Sequence, residues 1–373
     1  MRANNALALI FTNSSDDALP ELTSLRAMAS VPFGGRYRII DFHLSSLVNA
    51  GVASVGIITR SNYRSLMDHI GSGKPWDLDR KYGGLVFLPP FITSVSSVYK
   101  DHISAIENVR GFIENFKEEY IILCNADIVC NIDMEKMFTE HVKTNSDVTI
   151  AYKHGELPNF SKEHLVFSFD ENNNASEVLL SKDSGKLCDF SLGTMIISKS
   201  KLLELTKEAY ERGFEGIGRG ILQRNRETLK IHGFEIKGFS AHINNMDAYV
   251  NANMALLNPD IRKELLGNKN LPVYTKTRED CPTKFGLRSE VKNSLIADGC
   301  IIEGTVENCI LFRGVKIGKG SVVKNSIIMQ STVIGENCDI KYLISDKDVT
   351  VSDGSKLTGA ACNYFLIKKG GKV

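Results

Sequence analysis

The sequence lacks the features that would place it in a membrane or direct it into a secretory pathway. No apolar run approaches the length needed to span a bilayer, and the first residues show no charged segment followed by an apolar one. Lysine and arginine number 45 against 44 aspartates and glutamates, which gives a formal net charge of +1. Such a balance provides no electrostatic reason to bind nucleic acid or an anionic membrane. We therefore expect a cytoplasmic protein with neither kind of partner.

Paired cysteines are also missing. The eight cysteines are scattered along the chain without a C-x-x-C pair, which argues against both a zinc site and a disulfide framework. The remaining composition is ordinary for a globular protein, with 43% hydrophobic and 24% charged residues among 373. A chain of this length can form two domains with sizeable cores.

The turn after the first predicted strand contains no glycine. Residues 7–11 form a short, continuous apolar run, which is typical of a buried parallel strand that presents its ligand in the following turn. Backbone N–H groups can cradle a phosphate only where the chain comes close to it, which favours residues without a Cβ. Residues 12–18 instead read Thr-Asn-Ser-Ser-Asp-Asp-Ala, with two carboxylates and no cation. This turn is predicted to repel a triphosphate.

Apolar, β-rich runs alternate with segments of helical spacing through the first two-thirds of the chain. The runs cover residues 7–11, 54–59, 120–124, 148–152 and 190–197, and helical spacing is clear in 103–116 and 134–142. This alternation predicts an α/β domain with a mostly parallel sheet and a ligand site at the carboxyl ends of its strands. A predicted helix over 247–257 stops at Asn258-Pro259. We place the first domain at 1–258 and a linker at 259–288.

The last part of the chain is repetitive. Residues 291–296, 306–311 and 323–328 are near copies of Val-(Lys/Glu)-Asn-(Ser/Cys) followed by two apolar residues, and 340–344 is a weaker fourth copy. Steps with an inward apolar residue and a corner glycine lie between them. This pattern predicts a left-handed parallel β-helix of hexapeptide repeats over 289–373, in which each coil is buried by its neighbours.

One stretch closely resembles the start of the bacterial ADP-glucose pyrophosphorylases, the glucose-1-phosphate adenylyltransferase family. The matching residues are Leu22-Thr23, Arg26-Ala27 and Val-Pro-Phe-Gly-Gly-Arg-Tyr-Arg-Ile-Ile-Asp-Phe over 31–42. The resemblance covers both domains in the family order. It implies a Rossmann-like nucleotidyltransferase domain followed by the β-helix. The family transfers an adenylyl group from ATP to glucose 1-phosphate.

The resemblance also implies that the nucleotide loop has lost its functional residues. The family's loop glycines fall at Asn13, Ser14 and Asp16. Its catalytic arginine falls at Ala18, and the lysine of its Arg-Ala-Lys-Pro motif falls at Met28. The scaffold of the loop would thus be retained without its chemistry.

The metal and sugar-phosphate positions show the same departure. Of the family's two Mg²⁺-binding aspartates, one corresponds to Asp127 and the other to His242, although imidazole is a poor Mg²⁺ ligand. Asp127 alone also fits a turn or cap residue, and His242 fits an ordinary partly buried histidine. The lysine that contacts glucose 1-phosphate falls at Ser181. The neighbouring Lys182 would point to the opposite face of the strand.

Arg36 and Arg38 match the family in a neighbourhood that, in its members, receives phosphorylated effectors between the two domains. We expect both arginines to lie in a pocket that has lost its other cations. They are candidates either for effector binding or for bracing the domain interface.

Together, these features imply a non-catalytic, GlgD-type subunit that regulates a catalytic ADP-glucose pyrophosphorylase subunit in a heterotetramer that serves glycogen biosynthesis. We expect no metal or cofactor for this chain, since the catalytic partner would use Mg²⁺ and ATP. Alternatives are an active sugar-phosphate nucleotidyltransferase with an atypical nucleotide loop, a hexapeptide-repeat acyltransferase and a scaffold. Losing several transition-state stabilisers, each on the order of 10² or more in rate, favours the regulatory subunit. Hexapeptide-repeat acyltransferases usually need a catalytic histidine at the surface of a coil. The acyltransferase is therefore disfavoured, because no histidine follows His242.

Overall fold

The computed structural model describes residues 2–13, 16–90, 100–160 and 163–373. The strands of the first domain are β1 Ala6–Phe11, β2 Pro32–Phe33, β3 Tyr37–Arg38, β4 Ser54–Ile58, β5 Gly84–Leu88, β6 Tyr120–Asn125, β7 Ile128–Cys130, β8 Val148–Glu156, β9 His164–Phe169, β10 Ala175–Ser181, β11 Leu187–Ser198, β12 Ile231–Glu235 and β13 Ser240–His242. The α-helices are α1 Pro20–Thr23, α2 Ile39–Asn49, α3 Arg64–Ile70, α4 His102–Asn108, α5 Arg110–Glu114, α6 Met134–Thr144, α7 Lys199–Glu211, α8 Met246–Ala255 and α9 Pro259–Leu266. Short 3₁₀ segments cover Asp16–Ala18, Met28–Ser30 and Lys74–Trp76, and Gly216–Gln223 is a π-helix.

β1 lies near the middle of a large sheet with the order β10-β9-β11-β6-β1-β4-β5, extended by β8 beside β11 and by β12 beside β8. β1 pairs in parallel with β4 and β6, β4 with β5, and β8 with β12. Strand β11 is antiparallel to its neighbours, and β10 is antiparallel to β9. The predicted α/β domain is confirmed, and the carboxyl ends of β1, β4 and β6 meet at one edge.

Both faces of this sheet are covered, because successive side chains of a strand point to opposite sides. Ala6, Ala8 and Ile10 of β1 face one apolar cluster, which includes side chains of α2, α3 and α6. Leu7, Leu9 and Phe11 face a second cluster, which includes side chains of α4, α5 and α7. Every helix in the described ranges is too short or too polar to cross a bilayer.

Two predicted segments differ in detail from the structure. The helical spacing over 103–116 forms two helices, α4 and α5, which meet at Val109. The predicted linker over 259–288 is not without secondary structure: the Asn258 side chain accepts the Asp260 N–H at 2.9 Å and caps α9. Proline at the first position of a helix is favourable because its missing N–H has no partner there in any case. The same proline that ends one helix therefore begins the next.

The C-terminal part is a parallel β-helix of hexapeptide repeats, as predicted. Its short strands are β14 Lys284–Phe285, β15 Glu290–Lys292, β16 Leu295–Ile296, β17 Ile301–Ile302, β18 Thr305–Glu307, β19 Ile310–Leu311, β20 Lys316–Ile317, β21 Val322–Lys324, β22 Ile327–Ile328, β23 Val333–Ile334, β24 Asp339–Lys341, β25 Leu343–Ser345, β26 Thr350–Val351, β27 Lys356–Thr358 and β28 Phe365–Ile367. Every third strand joins the same five-stranded sheet, and three such sheets form the sides. The first of these strands, β14, lies inside the predicted linker and pairs with β17.

The backbone conformation explains why each repeat contains an asparagine. Asn293, Asn308 and Asn325 each adopt a positive φ at one corner of the β-helix. Asparagine tolerates this left-handed backbone better than most residues. Their side-chain amides also bond from coil to coil, Asn293 to Asn308 at 2.7 Å and Asn308 to Asn325 at 3.2 Å. The Asn positions therefore fix the corner that relates one coil to the next.

The β-helix and the first domain share a hydrophobic core. Met28, Phe33 and Tyr249 of the first domain belong to one apolar cluster with β-helix residues that include Ile310 and Ile327. A buried ion pair crosses the same junction, from Arg26 Nη2 to both carboxylate oxygens of Asp346 at 2.8 Å. The two parts are thus joined by burial and by paired charge.

Candidate functional site

A cavity of about 560 Å³ opens at the carboxyl ends of β1, β4 and β6, where the sheet topology predicts a ligand. Phe11, Ile58 and Leu123 come from these three strands and form part of its walls. Asn13 of the first turn and Gly193 of β11 also line it. We call this cavity the strand-end pocket.

The described polar side chains of the turn after β1 are hydrogen-bonded to neighbouring segments. The Asn13 amide oxygen accepts the Arg60 N–H at 2.9 Å, and its amide nitrogen donates to the Asp16 carboxylate and to the Ser61 carbonyl. Asp16 also accepts the Met28 N–H at 2.8 Å. Burial raises the pKa of the Asp16 carboxyl. The side chains of Asn13 and Asp16 therefore bind two neighbouring segments, at the Arg60 and Met28 N–H groups. They place an amide and a carboxylate where a phosphate-binding turn would present bare backbone.

The other positions of this loop do not form a catalytic group. Ala18 ends the 3₁₀ segment Asp16–Ala18 and is half-buried, with no polar atom in its side chain. Met28 is 0% exposed and lies in the core shared with the β-helix, where a lysine charge would be strongly disfavoured. Ser14 lies outside the described residues.

Asp101 and His102 fill the side of the pocket at the start of α4. The Asp101 carboxylate accepts the Ser104 N–H at 3.0 Å and the Gly216 N–H at 2.6 Å, and so joins α4 to the π-helix. The His102 ring packs edge-on against Phe11, with ring centroids 4.4 Å apart. Burial lowers the pKa of His102, so this imidazole adds no positive charge near neutral pH. The side chains of Asp101 and His102 therefore fill this side of the pocket, where a nucleotide would require an open backbone turn.

Asp127 is surrounded by neutral imidazoles rather than by a second carboxylate. It is 8% exposed and follows β6, and its backbone carbonyl accepts the Ile243 N–H at 2.8 Å. Burial lowers the pKa of His43 to about 4 and that of His164 to about 3, although the Asp127 charge acts in the opposite direction on both. The nearby β13 strand contributes His242, which is 7% exposed.

His164 and His242 share one acceptor. Their Nε2 atoms lie 2.8 Å and 3.1 Å from the Ser191 carbonyl oxygen, so each imidazole donates there. Burial lowers the pKa of His242 to about 4. Ser181, at the end of β10, pairs in register with His164, and its hydroxyl accepts the Asp183 N–H at 3.1 Å. No cation stands at Ser181 to hold a sugar phosphate, and Lys182 beside it is exposed.

This pocket does not fit a Mg²⁺–triphosphate. In the described ranges, no group of three or more His, Cys, Asp and Glu side chains is arranged to hold a metal ion. The donors near Asp127 are imidazoles, whereas Mg²⁺ prefers oxygen. Carboxylates outnumber cations by four to three among the described charged residues of the lining: Asp17, Asp101, Glu163 and Glu215 against Arg60, Lys100 and Arg219.

A second, cationic site lies between the first domain and the β-helix. We call it the interdomain cleft. It is lined by the basic side chains of Arg36, Arg38, Lys276, Arg278, Arg313 and Lys347, together with His69. The expectation that Arg36 and Arg38 lack other cations was wrong. The additional positive charges come from the segment before the β-helix and from two of its coils.

Burial and mutual repulsion disfavour the charged forms of these basic side chains. Burial lowers the pKa of Lys347 to about 7, and the guanidinium groups of Arg38 and Arg26 add to the effect. Burial likewise lowers the pKa of Arg38 to about 10. Arg38 donates to the Ser65 hydroxyl at 2.9 Å, whereas Arg36 is exposed and lies 5.8 Å from the Tyr37 ring centroid. An anion would relieve this repulsion.

Sequence reasoning missed several of these residues. His43 and His164 belong to no motif, and only the folded sheet brings them near Asp127. Lys276 and Arg278 lie in the predicted linker, to which no binding role was assigned. The available signal was the close spacing of Lys276 and Arg278 within that segment.

The chain matches two family models and several relatives over most of its length. Residues 15–160 match the nucleotidyl transferase family, and residues 281–360 match the GlmU-like C-terminal hexapeptide family. The glycogen biosynthesis protein GlgD of Bacillus subtilis is 35% identical over 370 residues, which are 98% of this chain and 96% of that protein.

Two further relatives agree. The glycogen biosynthesis protein GlgD of Geobacillus stearothermophilus is 37% identical over 86% of this chain and 83% of its own length. The glucose-1-phosphate adenylyltransferase of Fervidobacterium nodosum is 31% identical over 95% of this chain and 85% of its own. The chain belongs to the glucose-1-phosphate adenylyltransferase family, among its GlgD-type glycogen biosynthesis proteins.

Proposed function

We propose that this chain is a regulatory, catalytically impaired subunit of glucose-1-phosphate adenylyltransferase. It modulates a catalytic subunit that makes ADP-glucose from ATP and glucose 1-phosphate for glycogen biosynthesis in the cytoplasm. The partner uses Mg²⁺ and ATP, and the two kinds of subunit form a hetero-oligomer, which we expect to be a heterotetramer. The observation that carries the proposal is the turn after β1, which has no glycine and no cation, and whose Asn13 and Asp16 side chains accept the Arg60 and Met28 N–H groups.

The strand-end pocket supports the loss of chemistry. Its loop has no arginine at Ala18 and no lysine at Met28, and Asp127 has His242 in place of the second carboxylate. Catalysis of phosphoryl transfer depends on positioning and on charge stabilisation by such groups. Each one removed typically lowers the rate on the order of 10² or more, so little turnover is expected from a chain that lacks them all.

The interdomain cleft supports a regulatory role. Six basic side chains converge there, and the cleft has no carboxylate among its described lining residues. We propose that Arg36 contacts a phosphorylated effector, while Arg38 both faces the effector and braces α3 through Ser65. A bound anion at this junction favours one arrangement of the two domains over another, and only such a difference can be passed to a partner subunit.

Kinetics of the mixed subunits test this proposal. Mixing this chain with the catalytic subunit is expected to raise the latter's turnover or apparent substrate affinity several-fold, within the usual coupling of ~1–3 kcal/mol. Arg36→Ala together with Arg38→Ala is expected to reduce that stimulation. The matched control is Arg212→Ala with Arg226→Ala, two exposed arginines outside the cleft.

Arg36→Ala alone guards against a folding artefact, because Arg36 makes no described hydrogen bond and is exposed. Subunits that co-elute but show the kinetics of the catalytic subunit alone would contradict the regulatory role and leave a scaffold.

A further inference from the structure

Residues 272–280 lie between α9 and the first coil of the β-helix and form neither a helix nor a strand. We call this segment the strap. None of its backbone N–H or C=O groups is hydrogen-bonded to another backbone group in the described part of the chain. None of its residues is buried, and of these only Val273 packs against an apolar cluster. Such a segment belongs to the parts of a fold that open at the lowest free energy.

Side chains on one face of α2 hold the strap in place. They come from positions 41, 45 and 49, which share a face because helical residues four apart lie above one another. The Asp41 carboxylate accepts the Thr275 hydroxyl at 2.6 Å, Ser45 Oγ accepts the Tyr274 N–H at 2.8 Å, and the Asn49 amide donates to the Pro272 carbonyl at 3.0 Å. Lys276 Nζ also donates to the Asp68 carbonyl of α3. Water can replace each of these polar contacts when the strap leaves.

Release of the strap would leave no buried charge unpaired. Asp41 is 0% exposed, and besides Thr275 it lies 2.6 Å from His69 Nε2 and accepts the Arg38 N–H at 3.0 Å. It therefore keeps these two partners when Thr275 departs. The large cost of an unpaired buried charge is thus avoided. The face of α2 can hold the strap and remain stable without it.

The strap brings two cations to the interdomain cleft, Lys276 and Arg278. Burial lowers the pKa of Arg38 and of Arg313, and the charge of Arg278 adds to the effect on both. Asp280 of the strap offsets this repulsion only in part, since it lies 3.9 Å from Arg313 Nε, which is buried without a hydrogen-bond partner among the described residues. The like charges favour departure of the strap, whereas an anion bound between them would favour its return.

We propose that the strap is a lid on the interdomain cleft. It detaches from α2 to admit an anion, and it closes when the anion is shared between Lys276 and Arg278 on the strap and the fixed cations Arg38 and Arg313. Because the strap leads into β14, closure also fixes the first domain relative to the β-helix. The inference rests on the anion site of the proposed function and adds the element that opens and closes that site.

Cleavage by chymotrypsin after Tyr274 measures the opening of the strap in the full-length chain. Tyr274 is 40% exposed and lies outside the cleft lining, so a bound anion would not cover it. When the strap opens and closes faster than it is cut, the cleavage rate follows the population of the open form. Potassium sulfate is compared with potassium chloride at equal ionic strength, and isothermal titration measures sulfate binding to the same protein.

Saturating sulfate is expected to slow cleavage after Tyr274 by about fivefold or more, the lower end of the usual coupling between two linked equilibria. Cleavage after Tyr82 is the internal control, because Tyr82 is 82% exposed and lies outside the strap. Its rate should be the same in both salts.

Ser45→Ala removes the acceptor of the Tyr274 N–H and leaves the sequence of the strap unchanged. It is expected to speed cleavage after Tyr274 several-fold in the absence of sulfate. Ser46→Ala is the matched control, since the Ser46 hydroxyl is also buried on α2 but accepts the Ile132 N–H instead. A Ser45→Ala rate no higher than that of the control would show that α2 does not hold the strap.

Arg278→Gln should abolish most of the slowing by sulfate, because the strap loses a cation that draws it to the anion. Arg288→Gln, at an exposed arginine outside the cleft lining, should retain the slowing. Arg278 is itself exposed, so this variant tests the lid even if Ser45→Ala does not fold.

The outcomes separate the lid from the anion site. Sulfate that binds without slowing cleavage after Tyr274 would overturn the lid and leave the anion site standing. A chain that binds no sulfate would overturn both. Equal slowing after Tyr82 would mean that sulfate stabilises the whole chain, as excluded salts do, and would also overturn the lid.

Discussion

The strand-end pocket and the interdomain cleft differ in how each treats charge. The pocket keeps the position of a nucleotide site, at the ends of β1, β4 and β6, but its imidazoles are neutral and its turn is held by Asn13. The cleft concentrates six basic side chains from four separate segments of the chain. Under the proposed function, the pocket has lost its chemistry, whereas the cleft has kept the positive charge that an anion would need.

The two sites also depend on different parts of the molecule. All described residues that line the pocket come before residue 220, so the first domain builds it alone. The cleft needs the β-helix, which supplies Arg313, Gln330 and Lys347. The predictions below use this difference, beginning with the largest expected effect.

Removing residues 284–373 is expected to destroy the cleft and most of the stability of the first domain. The deletion uncovers Met28, Phe33 and Tyr249, which are buried against the β-helix, and leaves Arg26 without Asp346. We expect an insoluble or partly unfolded chain, judged by size-exclusion chromatography and by the loss of a cooperative thermal transition. A truncated chain that is folded and still binds its partner would show that the first domain alone makes the contacts.

Asp346→Asn is expected to lower the free energy of unfolding by about 3–5 kcal/mol, because it leaves the Arg26 charge buried and unpaired. Chemical denaturation of the full-length chain measures the change. Asp348→Asn is the matched control, since Asp348 is exposed and its carboxylate is 4.0 Å from Lys369. A loss no larger than that of the control would mean that the junction is held by apolar burial alone.

The affinity of the cleft for sulfate is expected to fall as the pH rises through about 7, because Lys347 loses its charge there. Sulfate does not titrate in this range, and the lowered pKa of His69 keeps that residue largely neutral. The stability change has the opposite sign. Between pH 7 and the ordinary lysine pKa, Lys347 is protonated in the unfolded state but not in the folded one. The free energy of unfolding therefore rises with pH across that window. The contribution of Lys347 to stability is smallest below pH 7.

Lys347→Met should flatten both profiles, whereas Lys207→Met, at an exposed lysine outside the cleft lining, should preserve them. Isothermal titration across the pH range measures the first profile, and denaturation measures the second. Identical profiles for the parent and Lys347→Met would place the titrating group elsewhere.

Much of the fold was predictable because it is written in local patterns. The apolar run of β1, the alternation of strands and helices, and the near-identical repeats can each be recognised within a short stretch of sequence. The break at Val109 and the helix after Pro259 were missed, since both depend on short-range capping and packing rather than on hydrophobic spacing.

The sites were less predictable because their residues are far apart in the chain. Arg26 and Asp346 are separated by 320 positions, and nothing near either residue announces the other. The absence of glycine after Phe11 could be read directly, but the bonds from Asn13 to Arg60 and Ser61 exist only once β1 and β4 are adjacent. A missing group is visible in sequence, whereas the group that takes its place is visible only in the fold.

The most direct test of the account is ADP-glucose formation by the purified full-length chain alone, with ATP, glucose 1-phosphate and Mg²⁺, beside the variant Asp127→Asn. The account predicts that both proteins give only background product, because the turn after β1 has no glycine and no cation and because His242 stands in place of a second metal-binding carboxylate. Robust turnover by the parent chain that is abolished in Asp127→Asn would contradict it and establish an active enzyme with an atypical nucleotide loop.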